Sequence, residues 1–155
     1  MVVDMSIKCI GVSTTADIII EPIADRWYNI MQDVTINVFL QGEGKLVYDI
    51  KKGFLFDGRS GGPLCDFIAP NLGTQKQVAC WLIHDLNGYD QYLCFADTNE
   101  LLRQMLINCG TSSWTSWLVK RAVSLSDSWF GEPKPSDREY PNLKFFTVRH
   151  YDKEI

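Results

Sequence analysis

The spacing of apolar residues changes once along this chain, near Pro70, and that change restricts the fold more than any other feature. Before it, apolar side chains recur about every second residue, as in half-buried strands; after it they recur about every 3.6, as on one face of a helix. A chain that is strand-like first and helical second buries both kinds of face most simply as a sheet covered by helices, an α+β arrangement.

Residues 6–12, 17–23, 34–40 and 44–50 are rich in Val, Ile, Phe and Tyr and are punctuated by Gly, Asp and Asn, which is strand chemistry. The run VTINVFLQGEGKLVYDI predicts a hairpin: Val34, Ile36, Val38 and Leu40 alternate with Thr35, Asn37 and Gln41, and Gly42 and Gly44 suit a tight turn. Beyond Pro70, Thr74 and Gln77 form a capping box. Val78, Trp81, Leu82 and Asp85 then share one side of a helix that runs to about Leu86 and is closed by Asn87-Gly88.

Asp97 or Thr98 opens a second helix with Glu100 in its first turn; Leu101, Leu102, Met105 and Leu106 face the core, and Gly110 stops it. From Ser113 to about Trp129, a third helix carries Trp114, Trp117, Leu118, Arg121, Ala122, Leu125 and Trp129 at helical spacing. Large rings on such a stripe are expected in the core. The Pro-rich GEPKPSDREYPN is a polar connection, and LKFFTVRHY is a strand that returns to the sheet. Without repeats or low-complexity runs, residues 1–155 read as a single domain: an N-terminal antiparallel sheet, about three C-terminal helices and a closing strand.

Charge narrows the partners. Fifteen Lys and Arg against nineteen Asp and Glu give a formal net charge of -4. The short basic clusters Lys51-Lys52 and Lys120-Arg121 cannot neutralise several phosphates, which argues against nucleic acid. MVVDMSIKCIGV lacks the basic segment and apolar run of a signal peptide, and no later run approaches membrane-spanning length. The expectation is no membrane insertion and retention in the compartment of synthesis. The five cysteines, Cys9, Cys65, Cys80, Cys94 and Cys109, contain no C-x-x-C knuckle and do not read as a zinc ribbon. They are expected to be inert, buried thiols in a reducing compartment.

The chemistry-bearing stretch is CWLIHDLNGYDQYLCFADTNELLRQML, residues 80–106. An antiparallel pair of helices with a short connection brings His84 and Asp85, at the end of one, to the same end as Asp97, at the start of the next. One imidazole and two carboxylates suit a divalent metal such as zinc or manganese with room for a water; alternatively the carboxylates orient His84 as a general base. Upstream, FLFDGRSGGPLCDF offers Asp57 as a further ligand, Ser60 as a hydroxyl that holds or attacks substrate, and glycines that permit close backbone approach. The bland reading is a capped helix, a tautomer-fixing carboxylate and an Asx-turn. His150, between Arg149 and Tyr151, reads as surface or partner-facing.

In order and spacing, Asp57-Gly58-Arg59-Ser60, His84-Asp85 and Ala96-Asp97, followed by Gly110 and Trp117, resemble the phage-associated family called "domain of unknown function 1353", over roughly residues 44–130. Two positions depart from its pattern: Gly62 precedes Pro63 after the serine, and Leu86 follows His84-Asp85 where the family usually has tyrosine. The resemblance implies a bacteriophage protein in the cytoplasm of a bacterial host, packaged into or assembled with the virion, and implies no particular reaction. Two functions follow as expectations. One is a metal-dependent hydrolase using Asp57, His84, Asp85 and Asp97. The other, favoured because one histidine and three acids are thin catalytic support, is a virion or tail-associated accessory protein, or host-interaction factor. Its partners would be phage structural proteins or a host protein.

Overall fold

The computed structural model describes residues 8–24, 27–42, 44–56, 73–90, 93, 95–130 and 146–151. The hairpin forms as its alternation requires. Strands β1 (Cys9–Thr14), β2 (Ile20–Ala24) and β3 (Trp27–Ile30) precede β4 (Val34–Leu40) and β5 (Gly44–Ile50), and a short β6 (Leu55–Phe56) follows. Val34 pairs with Ile50 and Leu40 with Gly44, and Gly42 and Gly44 take the positive φ of a tight turn, 73° and 81°. Val34, Ile36, Val38 and Leu40 are buried while Thr35, Asn37 and Phe39 are not, so one face of the strand supplies the core.

Helices α1 (Gln75–Asp90), α2 (Phe95–Asn108) and α3 (Ser113–Phe130) follow, and β7 (Phe146–Tyr151) closes the order. An antiparallel four-stranded sheet runs β1-β4-β5-β7, with the C-terminal strand at one edge: the α+β architecture expected from the change of period. A second sheet, β2-β3-β6, is an addition to that expectation. Strands of four and two residues carry too little alternation to be read from a sequence. Pro22 lies in β2, an edge strand of this sheet, where its missing N–H breaks no interior ladder.

Each helix begins and ends for local reasons. The capping box forms as spaced: the Thr74 N–H donates to Gln77 Oε1 at 2.8 Å and the Gln77 N–H to Thr74 Oγ1 at 3.4 Å. α2 ends in a turn with Gly110 at φ 97°, where Gly110 N–H donates to Ile107 O and Thr111 N–H to Leu106 O. Ser112 Oγ accepts from Thr115 N–H at 3.1 Å and caps α3. α1 does not stop at Asn87-Gly88 but runs to Asp90. Asn87 serves inside the protein instead, where its Oδ1 accepts the Tyr48 hydroxyl at 2.9 Å with both residues buried.

One hydrophobic cluster joins sheet and helices. Ile36, Val38, Leu46, Tyr48 and Ile50 meet Leu82, Ile83, Leu86, Leu101, Leu102 and Met105, and Phe54 meets Phe146 edge-on at 5.7 Å. Every residue from Val78 to Asn87 is buried, so α1 is the central helix, enclosed on all sides. Full burial of each large aliphatic side chain there contributes about 1.5–3 kcal/mol. Among the described residues no helix is long and apolar enough to cross a membrane.

Candidate functional site

His84 and Asp85 occupy the last turns of this central helix and are enclosed, with 6% and 2% of their surface exposed. The imidazole reaches the start of α2, as the antiparallel reading required, but its partner there is an amide. His84 Nε2 lies 2.9 Å from Asn99 Oδ1, and Asn99 Nδ2 donates onward to Ser124 Oγ in α3 at 3.3 Å. With the amide oxygen facing the ring, Nε2 carries the proton and donates. A single chain of side chains thus pins all three helices together, and a neutral amide, unlike a carboxylate, adds no charge to the interior.

Asp97 lies in the first turn of α2, half-buried, where its charge complements the N-terminal end of the helix. α2 starts at Phe95, so neither Asp97 nor Thr98 precedes the helix; Thr98 is instead buried within it. Asp57 and Ser60 lie outside the described residues. Among the described residues, no group of three or more His, Cys, Asp or Glu side chains converges in a way that would hold a metal ion. What the arrangement does locally is to hold His84 in one tautomer and orientation. His150 lies in β7, half-buried, opposite Leu46 of β5.

Glu100, one position beyond Asn99, is an acidic residue with several partners. Its carboxylate accepts from Arg103 at 2.6 Å, Lys120 at 2.5 Å and Gln104 at 3.0 Å. The Arg103 hydrogen bonds, followed by those of Lys120 and Gln104, outweigh desolvation and hold its pKa at about 2 instead of 4.5. Lys120 is on α3, so this cluster ties α2 to α3 on the side facing solvent. An open hollow of about 570 Å³ borders it, lined by Lys8, Gln41, Arg103, Gln104 and Asn108 among others.

The stripe on α3 is the clearest departure from expectation. Trp114 and Trp117 are not in the core: 67% and 44% of their surfaces are exposed. The two indoles stack, with centroids 5.2 Å apart and planes 18° from parallel, and the Arg121 guanidinium lies 5.8 Å from the Trp117 ring centre. Of the expected stripe Ala122 is buried, together with Ser116, Val119 and Val123, while the side chain of Trp129 lies outside the described residues. Residues 116, 119 and 123 follow helical spacing as faithfully as 114, 117 and 121, and the smaller side chains let α3 pack close to its neighbours. The signal that separates the two faces is Arg121: a cation in the middle of an aromatic stripe belongs in water.

No family model, curated protein or solved structure matches this chain.

Proposed function

We propose that this protein is a non-catalytic docking component, an accessory of a bacteriophage particle, and that it engages a structural protein of that particle through Trp114, Trp117 and Arg121. The carrying observation is the stacked indole pair held in solvent by a helix whose opposite face is already packed. Tryptophan and arginine dominate the energetics of protein interfaces, because a rigid ring covers much area with little loss of side-chain freedom. The chemistry selects a partner with a shallow apolar surface bearing a carboxylate within reach of Arg121. The phage setting comes from the Asp57-Gly58-Arg59-Ser60, His84-Asp85 and Ala96-Asp97 resemblance; the docking role comes from the tryptophans. The His84 chain is then a structural bridge that holds α3 in place.

The test is co-sedimentation of the tagged full chain with particles from an infected culture. The wild type is expected in the particle fraction, and the double variant Trp114→Ala, Trp117→Ala is expected to lose at least about tenfold in occupancy. Equal occupancy of both proteins, or a wild type that self-associates through this face, overturns the reading. The alternative, a metal-dependent hydrolase using Asp57, His84, Asp85 and Asp97, draws its support from the enclosure of Asp85 beside His84. Stoichiometric zinc or manganese in protein purified without chelator, lost in His84→Ala, would put that reading in its place.

A further inference from the structure

Three cysteines from three places in the chain lie near one another: Cys9, whose carbonyl accepts from Asn108 Nδ2 at 3.1 Å, is beside Cys109 and Cys80. Cys80 of α1 and Cys109 at the end of α2 have their sulfurs 3.5 Å apart, and Cys9 of β1 belongs to the same cluster. All three are free thiols. The approach of Cys80 and Cys109 is built in. The turn that follows Cys109 is fixed by Gly110 at positive φ, and the Thr111 hydroxyl just beyond it accepts from Gln77 Nε2 at 2.8 Å. Gln77 and Cys80 are one helical turn apart on α1, so the bond to Thr111 sets the register that puts Cys109 against Cys80. Cys9 and Cys80 are buried as expected; the approach of Cys80 to Cys109 was not foreseen, because thiols 29 residues apart show no spacing motif.

We propose that Cys109 and Cys80 form a peroxide-reactive dithiol site, with Cys109 the attacking sulfur and Cys80 the resolving one, closing to a reversible disulfide. The two positions differ in the way this division of labour needs. Cys109 is half-buried, whereas Cys80 is fully enclosed. The Cys80 thiol, its single proton shared between the Lys76 carbonyl at 3.1 Å and the Cys109 sulfur at 3.5 Å, and the Lys76 ammonium lower the Cys109 pKa against the opposing effect of burial. The contact with Cys109, together with burial, keeps Cys80 protonated, and burial pushes Cys9 up to about 11.

In the first step the Cys109 thiolate attacks one oxygen of a peroxide. An S–O bond forms, the O–O bond breaks, and the departing hydroxide or alkoxide takes a proton from water. The sulfur is oxidised by two electrons to a sulfenic acid and the peroxide is reduced. In the second step the Cys80 sulfur attacks that sulfur: the S–S bond forms, the S–O bond breaks, and the hydroxide leaves with the Cys80 proton as water. Two thiols and one peroxide give one disulfide, one alcohol or water, and one further water. Closure brings the sulfurs from 3.5 Å to about 2.0 Å.

The experiment is peroxide titration of the reduced full chain, followed by non-reducing digestion and mass spectrometry. The expected product is a Cys80–Cys109 linked peptide, lighter by two hydrogens than its parts and restored by dithiothreitol. Cys109→Ser should slow peroxide-driven thiol loss by about tenfold or more. Cys80→Ala should leave a sulfenic acid on Cys109 that a cyclic 1,3-dicarbonyl probe captures. The map of the wild type needs no substitution and stands even if a variant folds poorly. A link between other cysteines, or Cys109 left reduced while other thiols oxidise, overturns the proposal. This site is independent of the tryptophan face, and its failure leaves that reading untouched.

Discussion

At the joint of α1 with α2, a histidine, a carboxylate and an amide are enclosed; on the outer side of α3, two tryptophans and an arginine stand in water. The ordinary preference is the reverse, polar groups outside and large rings inside, so each region has needed a compensating arrangement. Inside, the cost of desolvation is met by hydrogen bonds, His84 to Asn99 to Ser124 and Tyr48 to Asn87. Outside, the indoles cover one another and that of Trp117 lies under a guanidinium, which reduces the apolar area facing water without removing it. The enclosed region is explained by what it does for the fold. Among the described residues the exposed one has no such explanation, and that asymmetry is what supports the proposed docking role of α3.

The comparison breaks most visibly if the enclosed bridge is cut. Asn99→Leu keeps the branched shape but removes both bridging hydrogen bonds, and should cost about 2–4 kcal/mol in urea unfolding. A loss below about 0.5 kcal/mol, the level of an ordinary surface change, would mean that the bridge does not hold the helices. Tyr48→Phe should cost about 1 kcal/mol, because it leaves Asn87 Oδ1 buried without its donor.

Glu100 sharpens the contrast by pH. Its folded pKa of about 2 is below the ordinary 4.5, so its stabilising contribution is complete above 4.5 and disappears as pH falls from 4.5 toward 2. Glu100→Gln should flatten that acid limb of the stability profile and cost up to about 1 kcal/mol near neutrality. An unchanged limb would show that Arg103 and Lys120 do not hold the carboxylate. The smallest effect on stability belongs to the double variant Trp114→Ala, Trp117→Ala: within about 0.5 kcal/mol, because neither ring supports the core.

How far the sequence disclosed this molecule depends on the length and kind of each signal. The β4–β5 hairpin was fully legible, because seven alternating residues and two glycines all favour one register. The capping box and Gly110 fixed helix ends through local chemistry alone. α3 was legible as a helix but not in orientation: its large rings at 114 and 117 face water, while Ser116, Val119 and Val123 made the packed face. The end of α1 was obscured because Asn87-Gly88 is a stop signal unless the asparagine has a buried partner, and Tyr48 lies 39 positions away. In the candidate site, the short connection after α1 disclosed that His84 would meet the start of α2. Its partner Asn99 was passed over because an amide carries no charge and forms no motif. The proximity of Cys80 and Cys109 depends on packing between helices and has no sequence signature.

The most direct measurement is co-sedimentation with phage particles, comparing the tryptophan double variant with His84→Gln, a change that retains a polar group at the bridge. The account predicts that His84→Gln stays with the particles while the double variant, folded to the same degree, does not. Particles that retain the double variant and release His84→Gln would move the function from the outer face of α3 to the enclosed histidine.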